Sequence, residues 1–195
     1  MMQKTRRTVL KALLAVPPSL AFLSDRMIAQ AADLSLTPSC AGDEEETLEQ
    51  TQGPFYRPDA PLRSSLGPAA AGQSAFTLCG FVIDTRCNPV PGAIVEIWHA
   101  DHEGNYDNHG LGWRGHQVTD AKGRWGFDTI MTHHYSFRTA HYHFRIKVPG
   151  RPLLTTQLYL PDHPRNENDH LFDPRLLMTL DRKNVVGRFD FVVAA

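Results

Sequence analysis

His141-Tyr142-His143-Phe144-Arg145-Ile146-Lys147-Val148 is the stretch whose reading decides the fold. Side chains alternate across an extended strand, so Tyr142, Phe144, Ile146 and Val148 share one face and belong to a core. His141, His143, Arg145 and Lys147 share the other. Two imidazoles two residues apart on one face of a strand can converge on a single metal ion. With ten histidines in 195 residues, such a pair is weak on its own, and the residues around it carry the argument.

Outward from this strand the chain reads as short β segments divided by turns. Phe76 to Asp84, Ala93 to His99, Arg124 to Ile130, Thr155 to Leu160 and Arg188 to Val193 are the further strands, rich in β-branched and aromatic residues. Asn88-Pro89, Pro91-Gly92 and Asp120-Ala121-Lys122-Gly123 mark turns between them. One short helix is predicted, with Asp173 as N-cap, Pro174 at the first position and Arg175 to Leu180 after it. The expectation is an all-β chain: a single antiparallel β-sandwich over residues 51–195, with long loops and one short helix.

The N-terminus reads as an address. Thr5-Arg6-Arg7-Thr8-Val9-Leu10-Lys11 resembles a twin-arginine export signal, an apolar run follows to Leu23, and Ala29-Gln30-Ala31 has the small-x-small pattern of a cleavage site. Residues 1–31 are therefore expected to be a signal peptide, and the mature protein periplasmic or extracellular. Two prolines and too short an apolar run argue against a membrane anchor. Residues 32–50 are polar and acidic and read as a flexible arm. An oxidising compartment makes a disulfide the expected use of the three cysteines, with Cys40–Cys87 and Cys79–Cys87 both open. The hydrophobic share of 42% and charged share of 21% are those of a globular domain, and a formal net charge of −1 gives no field that would attract nucleic acid or anionic membrane.

A metal held by the histidine pair needs further donors. A cupin reading fails, because the first acid after His143 is Asp162, beyond a Pro-Gly turn. The nearest upstream candidates are His133, His134 and Tyr135. A phenol with a pKa near ~10 ionises at neutral pH only beside a highly charged ion, so tyrosine ligation points to iron(III).

Several motifs then occur in a known order. Gly53-Pro54-Phe55-Tyr56, Pro89-Val90-Pro91-Gly92-Ala93-Ile94-Val95-Glu96-Ile97-Trp98, Gly104-Asn105-Tyr106, Thr119-Asp120-Ala121-Lys122-Gly123, Arg138-Thr139-Ala140-His141-Tyr142-His143-Phe144 and Thr156-Gln157-Leu158-Tyr159 resemble the signature of the intradiol ring-cleavage dioxygenases, protocatechuate 3,4-dioxygenase-like in type, from about residue 47 to 193. The resemblance implies a β-sandwich and an Fe(3+) cofactor held by Tyr106, Tyr135, His141 and His143. Tyr135 and His143 would be the axial pair, Tyr106 and His141 the equatorial pair. Tyr135 and Arg138 would be catalytic, and Arg138, Gln157 and Tyr56 would bind substrate. Relatives carry a Pro-Gly turn where this chain has Met131-Thr132-His133-His134. The implied reaction inserts both atoms of O2 into a catechol-type aromatic and cleaves the ring between its hydroxylated carbons, giving a muconate-type diacid. The implied partners are a small aromatic diol and O2, with no nucleic acid and no stable membrane insertion after signal cleavage; a homo-oligomer stays open.

The competing readings are a non-catalytic binding module, since Phe81 to Trp98 also resembles transthyretin-like sandwich repeats, and a periplasmic zinc hydrolase. The Arg-x-x-His-x-His strand argues against the first and the tyrosine donors against the second. His99, His102, His109, His116, His163 and His170 lie in turn-rich or surface-like stretches and read as ordinary.

Overall fold

The computed structural model describes Gly42 and residues 44–194. The expected signal peptide and Cys40 lie outside the described residues, and no helix within them is long and apolar enough to cross a membrane. The strands are β1 (Ala75–Asp84), β2 (Ile94–His99), β3 (Arg114–Val118), β4 (Arg124–Ile130), β5 (His141–Lys147), β6 (Leu154–Tyr159), β7 (Thr179–Asp181), β8 (Val186–Arg188) and β9 (Phe191–Val193). They form two facing sheets. One runs β4-β1-β8-β7 with β9 also paired to β1, and the other runs β3-β2-β5-β6. The expected sandwich is what the chain forms, with one addition: β8 and β9 run parallel to β1.

The alternation in β5 shows why the sheets face each other. Tyr142, Phe144 and Ile146 are fully buried in a core that also takes Val95 and Ile97 from β2, Phe76, Leu78 and Val82 from β1, and Trp125 and Phe127 from β4. A phenylalanine so buried typically contributes about 3 kcal/mol or more relative to alanine. The opposite face of β5 is not left to water. His141 and His143 are as buried as the core residues, and only Lys147 at the far end is exposed.

Three local expectations change. The helix from Asp173 starts as read, with the Asp173 side chain accepting a hydrogen bond from the Arg175 N–H, but it is a single 3-10 turn over Pro174–Leu176. Residues 179–181 instead pair with β8, because tertiary strand pairing outweighs weak local propensity. The closing segment is two strands, β8 and β9, separated by Phe189 and Asp190. β3 was hidden by its polar, glycine-containing sequence, Arg114-Gly115-His116-Gln117-Val118.

Residues 44–50, expected to belong to a flexible arm, lie along the sandwich as a strap. Their backbone bonds Thr85, Val192 and Thr155 in turn (Glu44, Thr47 and Gln50 N–H donating), and Leu48 packs on the core. Polar composition did not reveal these backbone partners. Cys87 is disulfide-bonded and Cys79 is a free, buried thiol, which excludes the Cys79–Cys87 pairing.

His99 is not a surface residue. It is cross-strand from Tyr142 and only 1% exposed. Its Nδ1 lies 2.7 Å from the Ala100 carbonyl, which can only accept, and its Nε2 lies 2.7 Å from the Thr129 hydroxyl. Burial pulls its pKa down to about 4. An unfolded histidine binds a proton near pH ~6.5 whereas the native one resists until about 4. Stability is therefore unaffected above that range and lost as pH falls through it, by up to about 3 kcal/mol. Equilibrium unfolding of wild type and His99→Gln between pH 4 and 7 checks this, the variant losing less on acidification.

Candidate active site

The site lies on the face of the β3-β2-β5-β6 sheet turned away from the core, under the strap and the loops that follow β2, β4 and β6. Register builds it. His143 pairs with Trp98 on one side and Gln157 on the other, and His141 pairs with Tyr159. The indole of Trp98 stacks flat on the His143 ring, with centroids 4.9 Å apart and planes 5° apart. Gly53 also lies against that imidazole. A Cβ there would come within 3.2 Å of His143 Cε1, and its φ of +70° also favours glycine.

The two imidazoles point at one place. Their Nε2 atoms are 3.2 Å apart. His141 Nδ1 lies 2.6 Å from the Thr139 carbonyl, so Nδ1 carries the proton and Nε2 presents a lone pair, the arrangement a metal ligand needs. Burial holds His141 at about 3, with the Arg138 charge adding to it, and burial with the neighbouring His141 holds His143 well below the usual range. Both rings are neutral and ready to donate.

Tyr106 and Tyr135 arrive on loops. Asp101 opens the first loop by accepting from the Glu103 and Asn105 N–H groups at 2.9 Å each. Gly104 then takes a φ of +87° and approaches the His134 carbonyl so closely that a Cβ would stand 2.5 Å from it. Asp107 closes the loop by gathering the N–H groups of His109, Gly110 and Gly112. Tyr106, held between these two turns, stacks under Phe55 at 4.3 Å and meets Tyr135 edge-on at 5.4 Å. Tyr135 sits 5.6 Å from His141, centroid to centroid. It begins a tight turn in which Ser136 adopts a φ of 50° and the Arg138 N–H returns to the Tyr135 carbonyl at 2.9 Å. Arg165 clamps that turn through the Ser136 carbonyl. Of the upstream candidates, Tyr135 therefore joins the cluster. The rings of His133 and His134 meet tilted at 3.9 Å, and His134 lies edge-on to His163.

The donor set fits a hard, highly charged cation. The Tyr106 hydroxyl is buried with no hydrogen-bond partner, as is His143 Nδ1. Burial, then the adjoining Tyr135, pushes the Tyr106 phenol well above its ordinary pKa. Such a phenol does not ionise alone, so its ionisation has to be coupled to capture of an ion strong enough to repel the proton. Among the described residues, no group of three or more His, Cys, Asp or Glu side chains could hold a metal, so a metal here would need the phenol donors as well.

Arg138 is 5% exposed. Its Nε donates to both oxygens of Asp169, at 3.1 and 2.8 Å, and its Nη2 donates to Gln157 Oε1 and lies 3.4 Å from the Tyr159 hydroxyl. Asp169 also accepts from the Thr139 and Leu171 N–H groups. Burial opposes its charge, but those N–H groups and the guanidinium outweigh it and hold the carboxyl below its usual range. Gln157 spends its amide on the Thr51 carbonyl, 2.9 Å away. Tyr56 lies edge-on to Trp98 at 5.0 Å, and its hydroxyl is taken by Arg145, whose guanidinium also covers its ring. Sequence patterns gave no sign of Asp169, which stands in a loop without a motif; Trp98 and Tyr159 lay within quoted motifs, but only the register showed what they touch.

A family model described as a dioxygenase (Dioxygenase_C) matches residues 51–195. Hydroxyquinol 1,2-dioxygenase from Nocardioides simplex is 30% identical over 196 aligned positions, covering 88% of this chain and 61% of that protein. The enzyme of the same name from Rhodococcus opacus is 32% identical over 149 residues, covering 64% of this chain and 49% of its own length. The chain thus spans about half to three-fifths of these curated relatives. The dioxygenase domain of a dioxygenase carbohydrate-binding protein fusion from Streptomyces sp. SirexAA-E superposes with a TM-score of 0.75 at 42% identity, over 77% of this chain and 99% of that one. Intradiol ring-cleavage dioxygenase from Tetranychus urticae shares the fold at a TM-score of 0.70 and 21% identity.

A sandwich matched along nearly all of its described length puts the protein among the dioxygenases. The chain belongs to the intradiol ring-cleavage dioxygenase family.

Proposed function

We propose that the chain is a non-haem iron(III) intradiol dioxygenase acting on a catechol-type aromatic diol and producing a muconate-type diacid. The observation that carries this is the buried, unpartnered Tyr106 hydroxyl beside two neutral imidazoles whose Nε2 atoms share one point. The names of the relatives, hydroxyquinol and catechol 1,2-dioxygenases, support an ortho-diol.

Tyr106, Tyr135, His141 and His143 would hold the ferric ion. When bound, that ion supplies the Lewis acidity and electron-accepting capacity that ready a diol for O2. The residues of the chain supply the rest. A diol binding through both oxygens must lose its protons. Tyr135, half-buried on its turn, is placed to take one at its phenolate oxygen, whereas Tyr106 is pinned under Phe55. Arg138 commits its Nε to Asp169 and its Nη2 to Gln157, which leaves Nη1 to face a substrate. It presents positive charge where negative charge builds on the ring, in a site where water is excluded and such charges act strongly. Gln157 holds the guanidinium, and Trp98 and Phe55 keep the imidazole and phenol faces dry.

Iron-loaded protein should consume one O2 per catechol and release a diacid, followed by an oxygen electrode and product absorbance together. Uptake that yields quinone and hydrogen peroxide would contradict the proposal. We also read residues 1–31 as an export signal, in keeping with the twin-arginine pattern and with a disulfide at Cys87; fractionation of cells producing the full chain tests it.

A further inference from the structure

The guanidinium of Arg138 is set by a chain of contacts that reaches the N-terminal strap. Tyr159 is fully buried, and its single hydroxyl proton has three oxygens within reach: Gln50 Oε1 at 2.7 Å, the Leu171 carbonyl at 2.9 Å and Gln157 Oε1 at 3.2 Å. Two of these are already engaged. Gln157 Oε1 accepts from Arg138 Nη2, and the Leu171 carbonyl accepts from Gln50 Nε2. Gln50 Oε1 is the nearest and has no other donor, so the proton goes there. The lone pairs of Tyr159 are then free on the side of Arg138 Nη2, 3.4 Å away. Tyr159 and Gln157 together flank one nitrogen of the guanidinium while Asp169 takes another.

We propose that Gln50 is a positioning residue for Arg138, acting by fixing the direction of the Tyr159 O–H bond; this rests on the reading above that Arg138 faces the substrate. Without an acceptor at position 50, the Tyr159 proton turns to the oxygens left to it. One of them, Gln157 Oε1, is the oxygen that holds Arg138. A proton placed there competes with the guanidinium and lets Nη1 drift from the ring it would face. Gln50 is thus expected to matter to turnover although it touches neither the donor cluster nor Arg138.

The two amide ends of Gln50 can be separated by substitution. Gln50→Glu keeps an oxygen acceptor for Tyr159 but loses the donor to Leu171. Gln50→Leu loses both. Metal content, visible spectrum, thermal unfolding, kcat/KM for catechol and the anaerobic Kd for catechol are measured on each iron-loaded full chain. Gln50→Leu should lower kcat/KM roughly tenfold and weaken anaerobic catechol binding, with metal content and spectrum unchanged, while Gln50→Glu stays within about twofold of wild type. Equal losses in both variants, accompanied by a lowered Tm, would mean that Gln50 only anchors the strap and would overturn the proposal. So would unchanged activity in Gln50→Leu. If wild type itself does not turn over catechol but binds it anaerobically, the reaction assignment fails, and the anaerobic Kd of the two variants still decides the role of Gln50.

Discussion

Arg138→Met should lower kcat/KM for catechol by roughly two to three orders of magnitude. The substitution keeps length and apolar bulk but removes a pre-positioned cation. It also strands Asp169, whose side chain is fully buried and whose ion-pair partner is Arg138 at 2.8 Å. Removing one member of a buried pair typically destabilises by about 3–5 kcal/mol. The two effects separate in Arg138→Lys, which restores a charge near Asp169 but cannot donate to Asp169 and Gln157 from a planar fork. Stability should largely return in Arg138→Lys, while kcat/KM stays at least about tenfold down. Thermal unfolding with steady-state oxygen uptake on both variants checks this. Full activity in Arg138→Lys would show that charge alone suffices and that the fork geometry is irrelevant.

Tyr106→Phe is expected to act in opposite directions with and without metal. In metal-free protein the Tyr106 hydroxyl is buried beside Tyr135 with no well-formed hydrogen bond, a desolvated group with little return. Phenylalanine keeps the stack under Phe55 and deletes that oxygen, so the apo variant should be more stable by about 1–3 kcal/mol. In iron-loaded protein the same oxygen would be a ligand, and its removal should weaken iron retention and strip intensity from the visible band. Urea unfolding of apo and loaded forms of both proteins measures the crossover. A variant less stable in both states would mean that the hydroxyl has a structural partner and no role at the metal.

This crossover follows from a division that runs along β5. Its core face was plain in the order Tyr142, Phe144, Ile146, since apolar alternation is local and survives any neighbour. The pairing of His141 with His143 was equally plain. What the other face does depends on strands distant in sequence. Trp98 and Gln157 reach His143 only because β2 and β6 flank β5 in one register, and one residue of slip would put Ile97 and Leu158 there instead. Asp169 was invisible because a carboxylate in a turn-rich loop looks like any solvated acid until Arg138 and two backbone N–H groups converge on it. His99 was misread for a related reason: it ends a strand on the same face as Val95 and Ile97, so strand parity, rather than its polarity, put it inside. The motif of Tyr56 suggests a place near the substrate, and the register adds what the motif did not show, that its hydroxyl meets Arg145, which lies with Glu96 in the next row of the sheet.

The strap carries the same lesson into function. An acidic, aperiodic stretch ending at Gln50 has no signal of order by composition, but its backbone and its last side chain are bonded to β9, β6 and the loop holding Asp169. Order there comes from tertiary acceptors rather than from local propensity.

The central claim is that Tyr106, Tyr135, His141 and His143 form a ferric site. Metal-free protein titrated with iron(III) and, separately, with zinc(II), with metal content and the visible spectrum recorded together, tests it most directly. Binding of one iron(III) per chain with a broad visible band, diminished in Tyr106→Phe and Tyr135→Phe, is the predicted result. A colourless iron-loaded protein, or one that retains only zinc, would contradict it.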